Sequence, residues 1–83
     1  MLEKIEQIKK TALLALAEIK EEAGLNQWKV THLGRSSAIM DVFKNMGSFS
    51  KEERGQVGRT ANQVKQALQA ALEEKAEMLH QAE

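Results

Sequence analysis

Cysteine and proline are both absent from this 83-residue sequence. Without cysteine there can be no disulfide, no thiolate metal site and no cysteine nucleophile, a pattern that fits a cytoplasmic chain. Aromatic residues are scarce: Trp28, Phe43 and Phe49 are the only three. The missing proline and the few aromatics suit helices far better than a sheet. No apolar run nears the roughly 18 residues of a membrane span, and the amino terminus lacks the core of a signal peptide, so a soluble chain with no membrane partner is expected. A chain this short makes one domain at most and buries only about 60–65% of its unfolded surface.

What is present is helical periodicity. From Ser50 to Ala82 apolar residues step by fours and threes through Val57, Ala61, Val64, Leu68, Ala71, Met78 and Ala82, with Lys75 the one charged interruption. That 3.5-residue period keeps one stripe toward a partner helix. A second row, Leu68, Leu72, Ala76 and Leu79, predicts that the seam drifts along the helix. Ser50 followed by Glu53 forms a capping box that starts it. A matching row, Leu2, Ile5, Ile8, Ala12, Leu16, Ile19 and Ala23, predicts a first helix of about six turns, ended by Gly24 in a left-handed conformation.

Between them the signals are shorter. Residues 25–33 hold Trp28, Val30 and Thr31 between two glycines and read as a short helix or a strand. Ser36 or Ser37 caps a further helix through Met46, with Ile39, Met40, Phe43 and Met46 as its apolar face and Gly47 as its end. Phe49 is placed to staple against the stem of Arg54 or, better, against Val57. Gly55 and Gly58 cost about 1 kcal/mol each inside a helix, which suggests close approach of another backbone or a ligand. The expected fold is therefore all-α: an antiparallel hairpin of two long helices, residues 1–23 and 51–82, with a basic tip of short helices over residues 24–50. In that fold both chain ends meet at one pole.

The formal charge is zero, but its distribution is uneven. Residues 1–28 carry four basic and five acidic side chains, a net of −1. Residues 29–65 carry seven and three, a net of +4, and residues 66–83 carry one and four, a net of −3. The seven central cations are Lys29, Arg35, Lys44, Lys51, Arg54, Arg59 and Lys65. On a rigid support such side chains neutralise phosphates and release counterions, and amides at the helix start near Ser50 could add an anion site. Taken alone, ordinary surface charge explains them better, because +4 over 37 residues is modest.

Catalysis finds no support. His32 and His80 fall near opposite poles of the hairpin and cannot form a metal pair or a proton relay. Capping explains the serines, and the adjacent pairs Glu21–Glu22 and Glu73–Glu74 diverge by about 100° on a helix. Gly55 and Gly58 make only a lone G-x-x-G with no preceding strand. Trp28 could stack on a base, but in a small helical domain it fits the core better.

The run His32, Leu33, Gly34, Arg35, then Met46 and Gly47, then Ser50, Glu52, Glu53 and Arg54, then Gly58, Asn62 and Lys65, has an order and spacing that carry a resemblance. It resembles the amino-terminal domain of the bacterial-type phenylalanine–tRNA synthetase alpha subunit, a coiled-coil arm, over residues 1 to about 80. The first segment is similar to that family's Tyr-Leu-Gly-Lys and the third to its Ser-Pro-Glu-Glu-Arg. The family usually continues Leu-Gly with two lysines and a glycine, where Arg35, Ser36 and Ser37 stand here, and often has proline at the positions of Lys51 and Gly55. Two phosphate-contacting charges thus become one at that turn.

The resemblance implies a non-catalytic arm that grips the body of the phenylalanine tRNA from a synthetase of two alpha and two beta subunits. ATP and magnesium would serve the full enzyme and no cofactor this domain; the partners implied are tRNA, the catalytic domain and the beta subunit, with no DNA. A different class of function also fits: a helical hairpin for protein interaction or oligomerisation, without RNA binding, pairing through Leu2, Ile5, Leu72 and Leu79.

Overall fold

A computed structural model describes residues 2–81. Every regular element among them is helical: α1 (Leu2–Ala17), α2 (Glu22–Leu33), α3 (Ala38–Lys44), a single 3-10 turn (Met46–Ser48) and α4 (Lys51–Gln81). None of these helices is long and apolar enough to cross a membrane. The molecule is a rod of 49 × 18 × 15 Å, its length close to that of α4 itself.

The predicted start of α4 is present. Ser50 Oγ accepts from the Glu53 amide at 3.2 Å and donates to the Glu53 carboxylate at 3.0 Å. Its apolar row also behaves as expected. Val57, Ala61, Val64 and Leu68 are buried, and the seam then drifts: Leu72, Ala76 and Leu79 pack on the core while Met78 is 62% exposed. The cause is the mismatch between 3.6 residues per turn and a 3.5-residue repeat. Ala82, the last member predicted for the stripe and the end predicted for this helix, lies outside the described residues.

The first helix differs from expectation. α1 stops at Ala17, six residues before the predicted end, and its last turn tightens through Glu18 N–H to Ala15 O and Ile19 N–H to Leu16 O. Glu21 is extended, and α2 begins at Glu22, so Gly24 is a helical residue and not a terminator. Its small size serves a close approach: a Cβ at Gly24 would stand 3.0 Å from Ile19 Cγ2. Packing overrides local propensity here, because breaking the chain at residues 18–21 swings Leu25 and Trp28 into the core.

This early break changes the topology. The structure is an all-α helical hairpin, but the limb antiparallel to α4 is α2 followed by α3. Glu22 meets His80, Lys29 lies beside Leu72 and Glu73, and Leu33 lies beside Gln69. α1 runs opposite to α2, with Trp28 on Ala12 and His32 near Ile8, and so runs in the direction of α4. Lys75 Nζ accordingly donates to the Ala17 carbonyl at 3.4 Å. The chain ends therefore do not share a pole: α1 begins near α3, and α4 ends at the far end of the rod. α4 is also the one long helix, since the expected first long helix is divided into two.

The middle segment resolves into helices, which settles residues 25–33 as α2. Ser37, not Ser36, caps α3: it is 2% exposed, donates to Gly34 O at 2.6 Å and accepts from the Met40 amide at 3.4 Å. α3 ends at Lys44, short of Met46, and Gly47 falls within the 3-10 turn. Ile39 and Val42 of α3 are buried in the core, and Met40, Phe43, Met46 and Phe49 are partly buried against that core. Val42 belongs to the core although the periodic reading passed over it. Every buried side-chain nitrogen or oxygen among the described residues has a partner.

Candidate nucleic-acid interface

Glu18, Glu21 and Glu22 in the α1–α2 turn lie at the same end as Glu73, Glu74 and Glu77 near the close of α4, with Lys20 and Lys75 among them. The α2–α3 loop, the end of α3 and the start of α4 carry Arg35, Lys44, Lys51 and Arg54, with Asp41, Glu52 and Glu53 in the same segments.

The seven predicted cations do not form one continuous patch. Arg35 and Lys44 are brought together: Lys44 Nζ donates to the Arg35 carbonyl at 2.9 Å, which holds the ammonium over the loop that carries the guanidinium. Lys51, Arg54 and Lys65 share one flank of α4 with Gly58 and Asn62, within an arc of about 80° at 100° per residue. Lys65 is half-buried and the other two are exposed. Arg59 lies on the face of α4 turned away from the buried row of Val57, Ala61, Val64 and Leu68, so it stands apart from that flank. Lys29 sits further off, on α2 beside Glu73.

The two glycines on α4 part company. A Cβ at Gly58 would stand 2.9 Å from Met46 Cε, so the 3-10 turn seats its methionine on this flank between Arg54 and Lys65. Nothing lies within 4 Å of a Cβ placed on Gly55. Of the amides expected to form an anion site near Ser50, that of Glu53 is taken by Ser50 Oγ, and Glu52 and Glu53 place two acids in the same turn. An acidic first turn suits the positive end of the helix and leaves less to draw an external anion.

Trp28 is a core residue, 3% exposed, with Nε1 donating to Ala12 O at 2.8 Å. His32 stacks obliquely on it, with ring centroids 5.2 Å apart, and loss of solvent holds the imidazole pKa below its ordinary value of 6.5. His80 is 79% exposed and lies 3.7 Å from Glu22, at the opposite end of α2 from His32. Among the described residues no group of three or more histidine, cysteine or acidic side chains is placed to hold a metal ion.

The apolar residues expected to receive a partner helix are mostly used within the chain. Ile5 is fully buried, Leu72 and Leu79 pack on the core, and Leu2 alone is exposed, at 41%. Leu14, Val30 and Met78 are exposed singly on three different helices, which is ordinary for a soluble surface. The sequence presents His32 as a partner for His80 and as the first residue of the Leu-Gly segment, and gives no sign of its neighbours across α1 and α3.

Comparison with known proteins places these features in context. The description of the N-terminal domain of class II aminoacyl-tRNA synthetases matches residues 20–83. The phenylalanine–tRNA ligase alpha subunit of Clostridium perfringens is 37% identical over 83 residues, which is all of this chain and 24% of that protein. Its counterparts in Bacillus cereus and Bacillus cytotoxicus are each 38% identical over 79 residues, 95% of this chain and 23% of theirs. The chain thus spans about a quarter of the length of these relatives.

Proposed function

The chain belongs to the family of class II aminoacyl-tRNA synthetase N-terminal domains, an accessory part of such enzymes, and we propose that it is a tRNA-binding arm. On this reading it grips the body of the phenylalanine-specific tRNA through phosphates and shape while aminoacylation occurs elsewhere in the enzyme. The catalytic domain and the beta subunit are its protein partners, ATP and magnesium serve the full enzyme, and the assembly works in the cytoplasm. The relatives named phenylalanine–tRNA ligase alpha subunit support the choice of tRNA.

The observation that carries the reading is the uneven charge of a chain that is neutral in sum, a net of +4 over residues 29–65 against −3 over residues 66–83. Within the basic segment Lys44 is bonded to the Arg35 carbonyl, and Lys51, Arg54 and Lys65 share one flank of α4. Cations fixed on helices bind phosphate chiefly by releasing counterions, so affinity falls steeply with salt.

Titration of the chain with tRNA at several salt concentrations tests this. The expected logarithmic slope is about −0.7 to −0.9 for each phosphate neutralised. A flat salt dependence, or no binding at low salt, overturns the reading. Changing Arg35, Arg54 and Arg59 together to alanine is expected to weaken binding with helix content unchanged, and a triple variant that binds normally would clear those residues of the role.

A further inference from the structure

Between the start of α1, the end of α2 and the first residue of α3, the surface opens into a recess of about 360 Å³. This falls within the roughly 300–1,000 Å³ range of pockets for small organic groups. Its surface is mostly apolar, given by Ile8, Ala38 and the carbon atoms of Lys4, Gln7, Thr11, Thr31 and His32, with few polar atoms at its margin. His32 is half-buried and leans on Trp28 at 39°, and Trp28 is itself held to Ala12 by its hydrogen bond. The imidazole is therefore a fixed plane at the edge of the recess.

A fixed aromatic plane beside a mostly apolar recess matches the face of a flat heteroaromatic ring, and Thr11, Thr31 and Lys4 border it where a ring edge and a linked phosphate would emerge. The ring would stack on His32, its edge would meet Thr11 and Thr31, and Lys4 would take the phosphate. Arg35 lies three residues from Ala38, within about 11 Å along the chain, so the recess opens beside the basic α2–α3 loop.

We infer that this recess receives one unstacked base of a bound RNA. The inference rests on the RNA-binding reading above and adds to it: single-stranded RNA is recognised by splaying bases onto aromatic side chains and bonding their edges, which backbone charge alone cannot do.

The test compares a single-stranded oligoribonucleotide with a blunt duplex of equal length at low salt, following the backbone amides by NMR. The single strand is expected to bind at least about fivefold tighter, the value of one modest stacking contact, and to shift the amides of Thr11, Thr31 and His32. Ala38→Leu, which fills the recess, is expected to remove that preference. Thr31→Ala, an exposed position, probes the same contact should the leucine variant misfold. Equal affinities, with shifts confined to the surroundings of Arg35, Lys51 and Arg54, overturn the recess and leave the electrostatic reading standing. Failure of both RNAs to bind overturns both. A free mononucleotide that binds as tightly as the oligonucleotide makes the recess a nucleotide site and overturns its assignment to RNA.

Discussion

The indole of Trp28 donates to the main-chain carbonyl of Ala12 across 2.8 Å, tying the middle of α2 to the middle of α1. The contact sits where both residues are buried, so it joins a packing anchor to a directional one. Trp28→Phe keeps the aromatic body and loses the donor, with an expected cost of about 1 kcal/mol. Trp28→Ala removes the anchor as well and is expected to cost about 3–5 kcal/mol. Urea unfolding followed by circular dichroism measures both, and a Trp28→Phe variant as stable as the wild type would show that the hydrogen bond contributes nothing beyond burial.

Two glycines predict opposite outcomes. A Cβ at Gly34, the residue that closes α2, would clash with the Val30 carbonyl oxygen, so the backbone must shift to admit alanine. Gly34→Ala is expected to lose about 1–3 kcal/mol, the usual cost of overpacking. Gly55 lies inside α4 with open space beside it. Gly55→Ala is expected to gain up to about 1 kcal/mol by restoring helix propensity. Thermal midpoints of the two variants should move in opposite directions.

The capping box at Ser50 starts the helix on which every other element packs. Ser50→Ala removes the acceptor of the Glu53 amide and the partner of the Glu53 carboxylate. A loss of about 0.5–2 kcal/mol is expected, with faster hydrogen exchange confined to the first turn of α4. Exchange that rises evenly along the helix would mean the box does not act locally.

These predictions draw on features of unequal legibility. Ser50 with Glu53, and the row from Val57 to Leu68, could be read from sequence because capping and periodicity are local. The division between α1 and α2 could not, because Ile19 and Ala23 continue the same periodic row as Leu16. Only the contact of Ile19 with Gly24, and the burial of Leu25 and Trp28, explain why the chain turns earlier. That turn also set the direction of α1, which periodicity leaves open. The basic segment was legible as composition, but its faces were not. Met46 seated on Gly58, and Lys29 lying beside Glu73, are long-range facts that separate seven similar charges into groups.

His32 makes stability depend on pH. Desolvation lowers its pKa in the folded chain, so below 6.5 the unfolded state takes up a proton that the folded state resists. Stability is therefore expected to be undiminished by this group above 6.5 and to fall as pH drops through that value. Urea midpoints for the wild type and His32→Gln between pH 7.5 and 5.5 measure the effect, and parallel curves would rule it out.

The proposed tRNA contact makes a prediction about which cations matter. Lys29 lies on α2 beside Glu73, among residues that lead toward the acidic end of the rod. A phosphate approaching Lys29 would also meet that carboxylate, and the repulsion offsets the attraction. Arg54 has Lys51 one turn before it and Lys65 further along the same flank, so a phosphate there meets several positive charges. Arg54→Ala is expected to reduce the logarithmic salt slope of tRNA binding by about 0.7–0.9, the loss of one phosphate contact. Lys29→Ala is expected to leave the slope nearly unchanged, and a larger effect from Lys29 than from Arg54 would place the RNA along α2 instead of at the α3–α4 end.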